Sequence, residues 1–437
     1  MINKLKSYIL ILLCFFLFDK NANANEPFVF KVTEIEILED GNQIYGYKGG
    51  TATSDDGSKI IAENFSYNKL TNILEISGNV KYLDEEKNIL ITTDKATYLK
   101  NDEKIFTIGN SKAVNENNTI TATNLEYDKI KNIFEAKKNA VVNDFEKDTT
   151  IYADEIKYLK NNEQVFTKGK TRALIEKKYK FNSEDVSYYR NLGDLISQRE
   201  SSIEDESGNI YKLKNFSYNI NKELLKGKGV EVLAKVGKDK IDQYFFSEGF
   251  FNFKDKSHLA KETKIKIHKD VYGNKNQDPR IYGTTSFSDQ NITEINNAIF
   301  TSCKLNDDCP PWSIKAEKVI HDKIKKNMVY KNAILKIYNM PVLYFPKFFH
   351  PDPTVERRSG FLQPQFNNSE TLGSSLYIPY FKTLGPDKDL TIKPTFFEKF
   401  TKFKKEKYIL QSEFRKKGKN SSIIADFAFL RDYKPST

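Results

Sequence analysis

The sequence predicts an all-β protein in two parts: a stack of strand–turn–strand units over residues 25–270, and longer alternating strands from residue 361. Two observations carry the first part. A tyrosine recurs at intervals of 29 to 31 residues, and apolar and polar residues alternate with period two around it. One observation carries the second: segments of about ten residues present an apolar set on one face and a polar set on the other, as a transmembrane β-barrel requires. Helical periodicity is nearly absent throughout.

The chain begins MINKLKSYILILLCFFLFDKNANANEP. Lys4 and Lys6 form a positive start, Tyr8 to Phe18 an apolar run, and Ala22-Asn23-Ala24 a small-residue cleavage motif. The run is too short to span a bilayer, so residues 1–24 are expected to be a secretory signal peptide, cut between Ala24 and Asn25. Cys14 leaves with it. The formal charge is +10; Lys4, Lys6, Lys20 and Asp19 account for +2, leaving +8 on the exported chain. Basic and acidic residues are interspersed, which describes a solvated surface. A nucleic-acid reader would need a basic cluster with aromatic platforms, and none stands out.

Tyr67, Tyr98, Tyr127, Tyr158, Tyr189 and Tyr218 mark six copies of the repeat. Seven residues on stand Leu74, Ile105, Phe134, Val165, Ile196 and Leu225; two before stand Phe65, Ala96, Leu125, Ile156 and Phe216 in all but the fifth copy. Gly78, Gly109, Gly169 and Gly229 follow four of the tyrosines by eleven residues. Glycine there permits a bulge where the chain turns a corner. One copy cannot bury its apolar face alone, but a stack can. The inward residues Phe65, Tyr67, Leu74, Tyr98, Ile105, Leu125, Tyr127, Phe134, Ile156, Tyr158, Val165, Phe216, Tyr218 and Leu225 admit two readings. They are a packed core, as in any sheet, or they line a groove for acyl chains in an open jelly roll. The open ends of such a stack leave strand edges to which a partner's strand adds. A related unit around His321 extends the β-structure to about Phe349.

Residues 271–360 read as an irregular β connector. Cys303 and Cys309, in TSCKLNDDCPPW, suit a local disulfide in an oxidising compartment. Zinc would need further ligands, and His321 lacks the spacing. From residue 361, strands are expected over 361–367, 373–382, 388–400, 406–416 and 421–433. They are long for a soluble sheet, where strands run about five or six residues. A closed outer-membrane barrel needs about eight strands, so the chain is expected to be part of a longer protein. Pro364 in FLQPQ and Pro379 in YIPYF fall in the first two strands, with Pro394 in the third. Each removes a ladder donor, marking either a bend or a seam that opens.

These features together resemble the LptD family of outer-membrane lipopolysaccharide-assembly proteins, also called organic solvent tolerance (OstA) proteins. The residues that carry the resemblance are the signal, the repeats, TSCKLNDDCPPWSIKA and NMPVLYFPKFFHPDPTVERRSGFLQPQF. The resemblance covers nearly the whole chain, and HPDPTVERRSGF is similar to the alphaproteobacterial form. It implies a periplasmic jelly roll over 25–270 and, over 361–437, the first strands of a large barrel in the outer membrane. It implies that lipopolysaccharide passes through the jelly-roll groove to a lateral gate carrying Pro364 and Pro379. The implied partners are a periplasmic bridge protein added at the N-terminal strand edge and a lipoprotein plugging the barrel. The sequence departs from the family at its cysteines: members tie jelly roll to barrel by cysteines far apart in sequence, whereas only Cys303 and Cys309 survive here.

No catalytic constellation is visible. His258, His268, His321 and His350 sit in no metal spacing or nucleophile motif, so the reading is a non-enzyme without metal or cofactor. Arg357-Arg358 stands either at lipid phosphates or in a solvated turn. The alternatives are a soluble periplasmic bridge-like protein, which accounts for residues 26–270 but not for the later strands, and a secreted β-solenoid adhesin or polysaccharide-active protein.

Overall fold

The computed structural model describes residues 26–235, 240–269, 277–305, 310–352, 355, 357–369, 373–397 and 408–430. The expected signal segment with its Ala24–Asn25 cleavage, and Cys309 with its expected bridge to Cys303, lie outside the described residues. The regular elements are strands, joined by turns that include the three-residue 3-10 turns Glu39–Gly41, Lys100–Asp102 and Lys160–Asn162. The chain divides into two units, Met1–His268 with Arg280–Asp289 and Lys269–Pro279 with Gln290–Thr437.

In the first unit each long strand belongs to two layers. Ile73–Asp84 pairs through its first half with Asn64–Asn68, Leu74 opposite Tyr67, and through its second half with Lys59–Ala62, Tyr82 opposite Ile60. Register shifts at Ser77/Val80, Thr92/Lys95, Ile108/Ser111, Thr121/Asn124 and Ala153/Glu155 repeat the break in successive strands. The chain folds over at these breaks. Tyr82 lies opposite Ile91, and Tyr98 lies opposite Leu74. On a straight strand Ile91 and Tyr98 would stand about 23 Å apart at about 3.3 Å per residue. Yet the Tyr82 and Tyr98 rings are 6.3 Å apart, and those of Tyr82 and Tyr127 6.5 Å. The two halves of each strand therefore face one another, and the apolar sides of both layers meet inside a jelly roll.

The corners explain the repeat glycines. Gly78, Gly109 and Gly169 have φ of +83°, +84° and +76°, which costs any residue with a Cβ about 1–2 kcal/mol. At Gly109 the Asp94 carboxylate fills the space a Cβ would take. Gly109→Val is expected to lower the thermal unfolding midpoint of the full chain; an unchanged midpoint would show that the corner does not need glycine.

Three of the repeat tyrosines are explained by their hydroxyls. Tyr67 donates to Asn72 at 2.7 Å, Tyr127 to Asn132 at 3.3 Å, and Tyr98 to Glu103. In each case the partner is five residues on, in the hairpin, where φ is positive: Asn72 +55°, Glu103 +48°, Asn132 +56°. Phenylalanine would fill the same volume and leave the turn untied. The fifth copy corrects the sequence reading. Its inward tyrosine is Tyr188, 2 % exposed, with Val186 two before and Leu195 seven after, both buried; Tyr189 is only half-buried. The adjacent tyrosines hid a one-residue slip, and a slip of one moves every side chain to the other face.

In the second unit, Ile292–Thr301, Trp312–Asp322, Asn327–Ile337 and Met340–Pro351 form an antiparallel meander. The stretch read as an irregular connector is thus largely regular strand. Pro341 and Pro346 obscured the last of these strands; it accommodates them because, among the described pairings, it bonds on one side only. Five further strands follow: an interrupted one, Gly360–Phe361 and Gln365–Ser369; a second, Gly373–Tyr377 and Tyr380–Thr383; then Lys388–Phe397, Tyr408–Lys417 and Ser422–Leu430.

Candidate functional site

Three features of the two units bear on function: the jelly-roll interior, its mouth, and the interrupted strands. The fourteen inward residues singled out from the sequence all lie inside, none more than 4 % exposed. They belong to one cluster that runs from Phe28 to Ala260. Rings stack along it, Tyr127 on Phe134 at 4.4 Å and Phe134 on Tyr158 at 6.3 Å. The interior is filled by its own side chains, so a ligand enters only where the layers part.

Two places are less closed. At the N-terminal strand Phe28–Leu38, Ile35 and Ile37 lie opposite Gly46 and Ile44, hence on the inner face, yet are 53 % and 57 % exposed. That strand pairs only with Gln43–Ser54 among the described pairings. Farther along, a cavity of about 200 Å³ is lined by Tyr179, Tyr211, Phe251 and Phe253, with Asp205 and His258 among its polar members.

The mouth is where the turns of one layer meet those of the other, and charged groups line it. Lys100 pairs with Asp55 at 2.7 Å and with Glu103. Lys129 pairs with Asp56 and reaches Asp84 at 4.0 Å. Arg190 Nε donates to Asp144 at 2.8 Å, and its Nη2 to Glu146 at 2.5 Å. Tyr188 also donates to Asp144, at 3.1 Å. Burial outweighs the carboxylates at Lys129 and brings its ammonium down to about 8. Burial likewise lowers Lys160, which donates to the Lys87 carbonyl at 2.5 Å. Tyr82 and Tyr127 are raised by the same cause and stay neutral donors. The sequence reading missed this row, although its signal is present: a basic residue stands two after the tyrosine in Lys69, Lys100, Lys129, Lys160 and Arg190.

In the second unit, Pro364 and Pro379 both fall in breaks between strand segments. Phe361 pairs with Tyr380 and Gln365 with Tyr377, so three residues face two across the gap. Leu362 N–H donates to the Pro379 carbonyl at 2.8 Å, and Ile378 N–H to the Pro394 carbonyl at 3.2 Å. A residue with an N–H at 379 would return a bond to Leu362, because hydrogen-bonded antiparallel pairs exchange both. Proline omits that return bond. Pro394 differs: it lies within an unbroken ladder opposite Leu410.

The register of the last three strands separates two faces. Leu390, Ile392 and Pro394 lie opposite Phe414, Ser412 and Leu410, which lie opposite Ala425, Phe427 and Phe429. Phe427 and Phe429 are 68 % and 61 % exposed. The other face carries Asp389–Arg415 at 2.9 Å, Lys393–Glu413, and Gln411–Asp426 at 2.7 Å. Arg357 is engaged here, donating to Asp389 and to the Pro386 carbonyl at 2.8 Å. It ties the entering chain to the third strand instead of standing in a solvated turn. Among the described residues no group of three or more His, Cys, Asp or Glu is placed to hold a metal.

No protein-family model matches the chain. Curated relatives do. The chain is 35 % identical over 105 residues to the LPS-assembly protein LptD of Legionella pneumophila (strain Paris), covering 24 % of this chain and 12 % of that protein. It is 37 % identical over 111 residues to LptD of Sodalis glossinidius (25 % and 14 %). It is 32 % identical over 127 residues to LptD of Pseudoalteromonas translucida (29 % and 16 %). These matches span about an eighth to a sixth of the relatives' own length. Among solved structures, the periplasmic lipopolysaccharide-transport component LptH of Pseudomonas aeruginosa aligns with 27 % of this chain and 86 % of its own, at 14 % identity and a TM-score of 0.24.

Proposed function

From the relationship of about a quarter of the chain to LPS-assembly proteins of the LptD family, we propose that it acts in lipopolysaccharide assembly at the outer membrane. Acyl chains occupy the jelly-roll interior, and the lipid leaves laterally where Pro364 and Pro379 weaken the strand pairing. The last strands form part of a membrane-embedded barrel wall, apolar face to lipid and polar face to lumen. A periplasmic bridge protein adds a strand at Phe28–Leu38, whose inner face is uncovered there, and an outer-membrane lipoprotein fills the lumen. The work is transport and assembly, not catalysis. Cys303 and Cys309 form a local bridge.

The observation that carries this reading is the unbroken apolar interior from Phe28 to Ala260. Within that cluster, among the described residues, the Tyr218 hydroxyl alone is buried without a hydrogen-bond partner, and an unpaired buried polar group costs about 1–3 kcal/mol. The test places a photo-reactive residue at Leu74, Phe134 or Leu225 and looks for lipopolysaccharide adducts in cells. Adducts at these positions are expected. Their absence at all three would leave a packed core and nothing more.

A further inference from the structure

We propose that Lys69, Lys100, Lys129, Lys160 and Arg190 form a ladder along the mouth of the jelly roll that trades its present partners, carboxylates at four rungs and a backbone carbonyl at Lys160, for the phosphates of an incoming lipid. The inference rests on the reading that acyl chains enter the interior, and adds how the mouth is held and what releases it.

Each of these cations stands two residues after a repeat tyrosine, taking Tyr188 for the fifth copy. The tyrosines lie on alternate strands of one layer, so successive rungs stand about 10 Å apart, twice the strand spacing. Each rung crosses to the other layer. Lys69 reaches Glu26 at 2.9 Å, Lys100 reaches Asp55, Lys129 reaches Asp56, Lys160 reaches the Lys87 carbonyl, and Arg190 reaches Asp144. The row closes the mouth as a line of linked latches: Glu103 contacts both Lys100 and Lys129, and Lys87 donates to the Lys129 carbonyl while its own carbonyl accepts from Lys160.

The rungs are not ordinary surface lysines. The side chains of Lys100, Lys129 and Arg190 are only 9–10 % exposed. The ammonium of Lys129 is held to about 8 by burial, so its carboxylate partners do not fully offset the cost of keeping it charged there. A phosphate carries more charge and more acceptor oxygens than a carboxylate. Exchange leaves each cation paired, while the released Asp55, Asp56, Asp84 and Asp144 meet water at the opened lip.

The same turns present large apolar side chains beside the cations: Leu70 next to Lys69 and Ile130 next to Lys129, 73 % and 71 % exposed. Cation and exposed apolar group side by side match an amphiphile whose phosphates sit at the root of its acyl chains. The ladder ends at the sixth copy, where Ile220 takes the place of the cation and Glu223 accepts a hydrogen bond from Tyr179 at 2.7 Å.

The test uses the full chain with a photo-reactive residue at Phe134 and two probes: bisphosphorylated lipid A, and the same lipid with both phosphates removed. The phosphorylated probe is expected to label at least about fivefold more. Lys129→Gln with Lys160→Gln should bring the ratio close to one, and Lys129→Arg with Lys160→Arg should restore it. Asp84→Asn should raise labelling by the phosphorylated probe, since a competitor for Lys129 is gone. A ratio unmoved by the glutamine pair, in protein whose melting is unchanged, overturns the ladder. If the glutamine pair fails to fold, the Asp84→Asn chain decides: unchanged labelling there overturns it equally. Inorganic phosphate equimolar with the lipid should leave labelling intact; loss of labelling would mean a free-phosphate site and would also overturn the proposal. No label from either lipid in the unaltered chain defeats the acyl-groove reading instead.

Discussion

Replacing Pro364 and Pro379 together by alanine is expected to slow delivery of lipopolysaccharide to the cell surface about tenfold or more. The reason is local. The Pro379 carbonyl already accepts the Leu362 N–H, and only the return bond is missing. Alanine at 379 supplies it, and alanine at 364 adds a second N–H within the three residues that bulge against two. The bond restored at 379 is worth about 1 kcal/mol net where water competes and more where lipid excludes water, so the cost of parting the strands rises by roughly 1–2 kcal/mol. The first strand's ladder partner, among the described residues, is the strand that carries Pro379, so the effect is concentrated where the sheet would open. Pro394→Ala should do far less, because Pro394 sits in an unbroken ladder between Lys388–Phe397 and Tyr408–Lys417. Surface-exposed lipopolysaccharide after a pulse of label gives the rate. Equal rates in the double variant and the parent would mean that the prolines only mark bends.

Much of this arrangement is legible in residue order. Tyr67, Leu74 and Gly78 alone state an inward ring, an inward partner across the hairpin and a corner, and the spacing repeats them. The alternation in Tyr408–Lys417 and Ser422–Leu430 declares two chemically opposed faces, and the register then aligns them across three strands. Tyr188 was missed because two neighbouring tyrosines satisfy the same spacing, and only Val186 and Leu195 tell them apart. The latches were missed for a different reason. Asp55 and Lys100, or Asp144 and Arg190, are about 45 residues apart in the chain and meet only because the sheet folds over itself. A basic residue two after five of the six tyrosines, taking Tyr188 for the fifth, is visible in sequence, but it reads as a solvated turn until both layers are in place. The same holds for the interior: a periodic apolar face announces burial, not whether its two layers ever part.

That last distinction decides the second large effect. Joining Asp56→Cys to Lys129→Cys across the mouth with a short bis-maleimide is expected to abolish lipopolysaccharide delivery, while the same double variant, unlinked and kept reduced, delivers. The native side chains at these positions already meet as an ion pair, so a short linker spans them without distorting either layer. Breaking one such pair is offset when the ammonium gains a phosphate and each large apolar group buried contributes roughly 1.5–3 kcal/mol, which is why an ionic latch yields to an entering acyl chain. A covalent one does not. Asp56→Cys alone, modified by the same reagent, removes a carboxylate but joins nothing, and should deliver well above the linked protein, which separates closure from mere loss of charge. If the linked protein delivers lipid at the unlinked rate, the mouth between Asp56 and Lys129 never has to open, and the filled interior is a core that lipid does not enter.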